Sequence, residues 1–355
     1  MSESKVPVVP KNFLIPFILT TCCFSLWGFA NDFTNPLVKV FEQVFIINTS
    51  QASWLQFAFY TGYFCMAIPA VFFIRKFSYK AAILLGLGLY ALGALIAVPA
   101  SLLANFWLFT LTSYVITYGL AFLETACNPY ILAMGDPRTA TQRLNLAQAF
   151  NPIGSLCGML VATFVLAPSL MVTEIRNEVS EGNTEYTQYL ITDANNLPEG
   201  ATLKGESTVA LQDGSEVTFY KDGIPNFETT MGALDGTLPN ILKNIRANEP
   251  ENFEAIQQKD LGNVRAPYVT IALIVGVFFL IYKFAKMPNL REEGTSGDAP
   301  FLEIAGRIFG MSRFREGVVA QLFYVGRRLC VGHTLYTTEW SKWGLALVKL
   351  QHGTS

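Results

Sequence analysis

The sequence predicts an all-α membrane protein with six transmembrane helices, an incomplete seventh helix and a small extracytoplasmic β-containing insertion. Three observations point there. Of 355 residues, 51% are hydrophobic and 15% charged, with 28 Phe, a balance that soluble domains do not reach. Apolar stretches of about 20 residues, enough to cross about 30 Å of hydrocarbon, recur six times. The Lys and Arg concentrate in every second break between those stretches.

In order, the predicted spans are Phe13 to about Ala30, Ala52 to Ile74, Ala81 to Leu103, Phe106 to Leu132, Leu146 to Pro168 and Tyr268 to Phe284. The first is expected to stay as a helix and not be cleaved, because a polar Asn31-Asp32 and then Thr34-Asn35-Pro36 follow it without a small-residue cleavage site. With the amino terminus inside, the inner segments hold Lys5 and Lys11, then Arg75, Lys76 and Lys80, then Arg138 and Arg143, then Lys283, Lys286 and Arg291, while the two short outer loops hold only Lys39. Basic residues collect in short cytoplasmic loops, so this pattern places the protein as a multi-pass chain of the cell inner membrane with a cytoplasmic amino terminus.

The chain then divides into residues 1–168 with five spans, an outer loop at 169–266, the sixth span at 267–286, a cytoplasmic linker at 287–316, the start of a seventh helix at 317–326 and a tail at 327–355. The outer loop is acidic: residues 168–266 carry 16 Asp/Glu against 7 Lys/Arg, a balance of −9 in a chain whose net charge is −2. Between Thr202 and Phe227, apolar and polar residues alternate around Gly205, Asp213-Gly214 and Asp222-Gly223, the pattern of a small β meander. Its flanks, Leu190 to Pro198 and Ala247 to Asp260, read as loop and short helix. A glycan-binding or gating cap and a tolerated surface insertion both fit this loop. Within the linker, Phe301 to Phe314 reads as a short amphipathic helix.

Several function classes drop out. Lys and Arg in short clusters between apolar runs do not make the solvated basic face of a nucleic-acid binder. Five of the six cysteines, Cys22, Cys23, Cys65, Cys127 and Cys157, lie in apolar runs, and the only histidines are His333 and His352, so neither a disulfide framework nor a metal set is expected. No cofactor is expected. An enzyme built on Glu124 and Asp32 lacks a nucleophile and base pair in the apolar runs.

What remains is a set of polar residues that lipid would reject. A carboxylate at the centre of a spanning helix costs about 2.5 kcal/mol or more, so Glu124, about 12 Å from the inner end of the fourth span at helical rise, needs a reason. One reading has it taking up and releasing a proton; the other makes it a neutral hydrogen-bonding link between helices. Asp32 is either part of a polar turn ending the first span or, if that helix runs on to about Val40, shares a face with Asn35 three residues away. In the fifth span Asn145, Gln148 and Asn151 recur every third residue beside Gly154-Ser155-Leu156-Cys157-Gly158. Amides offer both donors and acceptors to a ligand made mostly of hydroxyls, and they also serve as interhelical hydrogen bonds. Trp27 offers an apolar face to a sugar ring or marks helix packing.

Leu26-Trp27-Gly28-Phe29-Ala30-Asn31, Ser78-Tyr79-Lys80-Ala81, Leu89-Tyr90-Ala91-Leu92-Gly93-Ala94, Leu123-Glu124-Thr125-Ala126-Cys127-Asn128-Pro129, Arg143-Leu144-Asn145-Leu146-Ala147-Gln148-Ala149-Phe150-Asn151 and Gln321-Leu322-Phe323-Tyr324-Val325-Gly326 together resemble the L-fucose/proton symporter branch of the major facilitator superfamily, which includes glucose/galactose transporters. The likeness covers roughly residues 12–168 and 264–326. It implies two six-helix halves with alternating access, of which this chain is the amino-terminal half. It also implies proton coupling at Glu124, a sugar-binding position at Gln148, a monosaccharide and a proton as transported partners in a lipid bilayer, and a monomer at full length. Beside it, the polar residues themselves offer Asn151, Asn31 and Trp27 to the sugar and Asp32 or Asn35 to complete the site from the first helix, with Asp32 the second candidate for proton coupling. Three departures stand out. The family's first-helix Asp falls at Asn35 while Asp32 falls on a family Asn; the 169–266 loop is longer than the family's; and the ending differs. After Gly326, Leu329-Cys330-Val331-Gly332 read in the neighbouring frame can encode Ile-Met-Cys-Trp, so residues 327–355 are expected to be a frame-shifted tail and the 355-residue product alone is expected not to transport. A membrane receptor using the outer loop for ligand binding is the competing function; deletion of residues 180–250 separates the two.

Overall fold

The computed structural model describes residues 6–180, 202–204, 208–210, 216–218, 231–288, 306, 309–320 and 323. Among them, six helices are long and apolar enough to cross a membrane. The first is α1 (Leu14–Val44), followed after a short helical turn at Thr49–Ala52 by α2 (Trp54–Lys76), α3 (Tyr79–Leu102) and α4 (Phe106–Leu132). The fifth span is assembled from α5 (Ala140–Gln148) and α6 (Phe150–Val161), which runs through a wide π turn at Ala162–Leu166. That turn lies just before Pro168, whose ring and missing N–H displace the preceding carbonyls. Beyond it come α7 (Met171–Ser180), α8 (Met231–Asn248) and α9 (Pro250–Phe284), the sixth span.

Short polar caps make the reversals. The Asn48 side chain accepts from the Gln51 N–H at 2.7 Å, Ser78 from the Ala81 N–H at 3.1 Å and Asn105 from the Trp107 N–H at 2.9 Å, each satisfying amides that a helix start leaves open. At the α4–α5 bend the Arg138 side chain and N–H hydrogen-bond Asp136 and hold its carboxyl down at about 2.

Apolar helices gain little from one another in lipid, so close backbone approach has to supply the packing. α1 and α6 lie side by side on this basis: a Cβ added at Gly158 would meet the Phe29 carbonyl oxygen at 2.5 Å, and one at Gly154 would meet the Ser25 carbonyl carbon at 2.7 Å. α4 sits between α2 and α3 and touches α1, while α9 lies along α3. An aromatic cluster of Phe41, Phe45, Phe106 and Phe109, with the Phe41 and Phe109 rings 4.7 Å apart, fills the bundle where α1 meets α4.

Each end of the bundle is tied by polar side chains. At the Lys/Arg-rich end, Lys80 Nζ donates to the Lys283 and Ala285 carbonyls at 2.9 and 2.8 Å, closing the last turn of α9, and Tyr130 Oη donates to the Pro288 carbonyl at 2.8 Å. Arg143 is 0% exposed. It donates to the Ile131 and Leu132 carbonyls that end α4, at 2.9 and 2.8 Å, and to the Val8 carbonyl at 3.0 Å. A guanidinium suits a helix carboxyl end. Arg143→Ala is therefore expected to destabilise the protein by about 2–4 kcal/mol, and Arg143→Lys, which cannot span two carbonyls as a planar fork, to recover less than half; detergent-phase thermal unfolding followed by Trp fluorescence measures both.

At the opposite end α9 does the tying. Asp260 accepts from the Met171 and Val172 N–H groups at 2.5 and 3.1 Å and so caps α7, Ser101 Oγ donates to the Leu261 carbonyl at 3.0 Å, and Gln257 Nε2 donates to the Val44 carbonyl at 2.8 Å.

Two sequence expectations need correction. The first span does not stop near Ala30: α1 continues through Asn31-Asp32 and Pro36 to Val44, because its polar side chains find partners along the helix, Thr34 Oγ1 on the Ala30 carbonyl at 2.8 Å among them. The sixth helix starts at Pro250, not Tyr268, so Ala247 to Asp260, read as loop and short helix, is helical throughout apart from Glu249. Its 35 residues run about 52 Å at helical rise, well beyond the roughly 30 Å of a bilayer core. Within residues 169–266, β1 (Thr202–Lys204), β2 (Thr208–Ala210) and β3 (Glu216–Thr218) form an antiparallel sheet in that order, Leu203 opposite Val209 and Val209 opposite Val217. A second unit, residues 228–235 and 292–355, holds a helix over 312–320 in its described part, with the Phe309 and Phe314 rings edge to face at 5.4 Å. The expectations for Leu190 to Pro198, for most of the 287–316 linker and for the 327–355 tail fall outside the described residues.

Candidate functional site

The site grows from one face of α4. Its inward residues Phe122, Leu123, Ala126 and Cys127 are buried against neighbouring helices, whereas Glu124, Thr125 and Asn128 are only half-buried. Positions i, i+1 and i+4 lie together on a helix, and these three open on a cleft of about 490 Å³ shared with Ala121 and with Tyr63, Phe64 and Ala67 of α2. That volume is within the usual range for small-molecule sites. Glu124 enters no ion pair among the described residues.

Asn128 joins Glu124 to the fifth span. Its Nδ2 donates to the Glu124 backbone carbonyl and its Oδ1 accepts from Gln148 Nε2, both at 3.0 Å. Gln148 is exposed where α5 ends; Pro152, in the next turn, has no N–H to offer the Gln148 carbonyl, which helps to explain the break. With one N–H engaged, Gln148 keeps its carbonyl and its second N–H for another partner. On the other side of the cleft, Trp27 Nε1 of α1 donates to Tyr63 Oη.

The remaining predicted residues lie along α1 and its seam with α6. Ser155 Oγ donates to Asp32 Oδ2, and Asn35 Nδ2 donates to Asp32 Oδ1 at 3.2 Å. Asp32 and Asn35 thus share a face, and the polar-turn reading fails. Asn151 Nδ2 donates to the Phe24 carbonyl at 3.2 Å and Ser25 Oγ to the Phe150 carbonyl at 3.0 Å, so Asn151 does serve as an interhelical link. Asn31 is half-buried on α1 and Asn145 is exposed on α5. The structure therefore ties Gln148 through Asn128 to the Glu124 backbone carbonyl and not to its carboxyl, and brings Trp27 to Tyr63, which lines the same cleft as Glu124, while Asp32 and Asn35 form a separate cluster.

Three functional-site partners escaped sequence reasoning. Tyr63 looked like one more aromatic in an apolar span, and Ser155 like one of the small packing residues. Asn128 did carry a signal, since it sits four residues after Glu124 on the same helix face. Among the described residues no group of three or more His, Cys, Asp or Glu could hold a metal ion.

An all-helical membrane protein with six candidate spans and an acid opening on a cleft is the class that fold and site define. Residues 20–170 match the family model of the Major Facilitator Superfamily. The chain is 38% identical over 319 residues to the L-fucose-proton symporter of Haemophilus influenzae, covering 90% of this chain and 60% of that protein, and 39% identical over 318 residues to the Escherichia coli L-fucose-proton symporter, covering 89% and 57%. A glucose/galactose transporter of Brucella abortus is 34% identical over 145 residues, 41% of this chain and 35% of that one. A crystal structure of the Escherichia coli fucose:proton symporter superposes with a TM-score of 0.60 at 29% identity, over 90% of this chain and 61% of that chain. These relatives are transporters, and the chain spans about 60% of the length of the two symporters.

Proposed function

We propose that this protein carries a monosaccharide, L-fucose or a related hexose, across the cell inner membrane together with a proton, as a member of the Major Facilitator Superfamily working by alternating access. Its six helices form one wall of the sugar cleft, with the amino terminus in the cytoplasm. The observation that carries this reading is Glu124 lining a cleft as the one charged residue of a spanning helix, where an acid is tolerated if it faces a water-filled passage. Gln148, held by Asn128, and Asn151 present amides to the sugar hydroxyls, and Trp27 offers its ring face to the sugar carbons. Asp32, with Asn35 and Asn31, is the second carboxyl on the path. Proton and sugar favour the same conformers, so each shifts the population toward the state that binds the other. The orientation rests on the gathering of Lys11, Arg75, Lys76, Lys80, Arg138, Arg143, Lys283 and Lys286 at one end of the bundle.

The test is proton flux driven by sugar. Proteoliposomes carrying the 355-residue chain, and in parallel the chain extended by the part of the Escherichia coli symporter that it does not match, are given L-fucose, D-galactose or D-glucose. Alkalinisation of the medium on sugar addition is the expected result for the extended chain, and none for the 355-residue chain alone; absence of any sugar-dependent proton uptake in both preparations defeats the reading. Gln148→Ala is expected to weaken binding of the best of these sugars about tenfold, the scale of one lost hydrogen bond, and equilibrium titration of the purified protein measures it.

A further inference from the structure

Tyr63 stands between the two sides of the cleft. An indole N–H can only donate, so in its bond with Trp27 the Tyr63 oxygen must be the acceptor. The hydroxyl proton of Tyr63 then has to turn to something else. Tyr63 lines the same cleft as Glu124. The other titratable groups near Tyr63 are Tyr60 of α2 and Tyr90 of α3, both phenols that stay protonated at neutral pH. Tyr90 Oη already donates to the Leu26 carbonyl at 3.3 Å.

We propose that Tyr63 is the positioning residue that links the protonation of Glu124 to the indole of Trp27. When Glu124 is ionised, the Tyr63 hydroxyl donates to its carboxylate, a charge-assisted bond stronger than a neutral one. A hydroxyl that donates strongly is also a better acceptor, because hydrogen bonds in a chain polarise one another, so the Trp27 N–H is gripped. When Glu124 takes a proton the first bond weakens, the second weakens with it, and the Trp27 ring is released toward the sugar. Proton and sugar then communicate across the cleft without touching. This link rests on the transporter reading for its purpose, though not for its existence.

The test follows the indole N–H of Trp27 by ultraviolet resonance Raman in nanodiscs, isolated as the difference between the unaltered 355-residue chain and its Trp27→Phe variant, while pH is stepped. A Trp27 marker that shifts with pH in the unaltered chain and stands still in both Glu124→Gln and Tyr63→Phe is the expected result. Tyr63→Phe keeps the ring that meets Phe59 at 5.6 Å, so the fold is retained, and Tyr60→Phe should leave the shift in place. A shift that survives Tyr63→Phe overturns the proposal, as does a marker that ignores pH in the unaltered chain. Failure of the transporter reading looks different: sugar drives no proton flux, yet the indole response persists.

Discussion

Glu124→Gln is expected to lower proton-driven sugar accumulation by about a hundredfold or more, the scale on which losing a proton-transfer group acts, while sugar exchange across the membrane continues. Glutamine has the shape and donor capacity of a neutral glutamic acid but cannot give up a proton. On the coupling role proposed for Glu124, the variant is expected to be locked in the protonated form, binding and exchanging sugar between equal pools but not returning empty with its proton released. Gradient-driven uptake and counterflow, measured side by side in proteoliposomes of the extended chain, separate the two. If accumulation persists in the variant, the coupling lies elsewhere, and the Asp32 cluster with Ser155 and Asn35 is the next place to look. If exchange and accumulation vanish together, Glu124 holds the fold or the sugar and not the proton.

The second large effect concerns the α1–α6 seam. Gly154→Leu places a side chain where the Ser25 backbone already lies, with even the first carbon only 2.7 Å from the Ser25 carbonyl carbon. Backbone cannot yield as a flexible side chain does, so the helices must separate, at a cost of about 3 kcal/mol or more. They would lose with it the bonds from Ser25 to the Phe150 carbonyl and from Asn151 to the Phe24 carbonyl. Gly262→Leu is the control, since a Cβ there meets nothing within 4 Å. Thermal unfolding in detergent should show a large fall in midpoint for the first and almost none for the second; equal behaviour of the pair would mean that the seam is looser than described.

The sequence made the hydrocarbon-embedded parts of this fold legible because hydropathy is what the bilayer selects. The fourth span is bounded identically in sequence and structure, at Phe106 and Leu132, where Asn105 supplies a recognisable cap. Hydropathy fails where a helix leaves lipid. The stretch from Ala247 to Asp260 is polar and reads as loop and short helix, yet it is helical apart from Glu249, with Gln257, Asp260 and the following Leu261 in specific hydrogen bonds to other elements, and no periodic pattern announces such contacts. Asn31-Asp32 left two readings open for a related reason. Polar residues before a proline signal a turn in water, but here Asp32 is satisfied within the bundle by Asn35 and Ser155, so the helix has no need to end. Glu124 and Gln148 could be picked out as misfits in lipid. That Asn128 takes the Gln148 amide, and that Tyr63 takes the Trp27 N–H while lining the cleft with Glu124, depends on which faces of the helices meet, and one sequence does not encode that in any local pattern.

The uninterrupted course of α9 has a practical consequence. A helix that continues past its apolar stretch through Pro267, and is fastened beyond it by Ser101, Gln257 and Asp260, moves with the elements to which it is tied. An antibody fragment raised against its protruding length would keep a fixed bearing, giving electron microscopy a fiducial for a particle otherwise hidden in detergent and reading out any tilt of the helices directly.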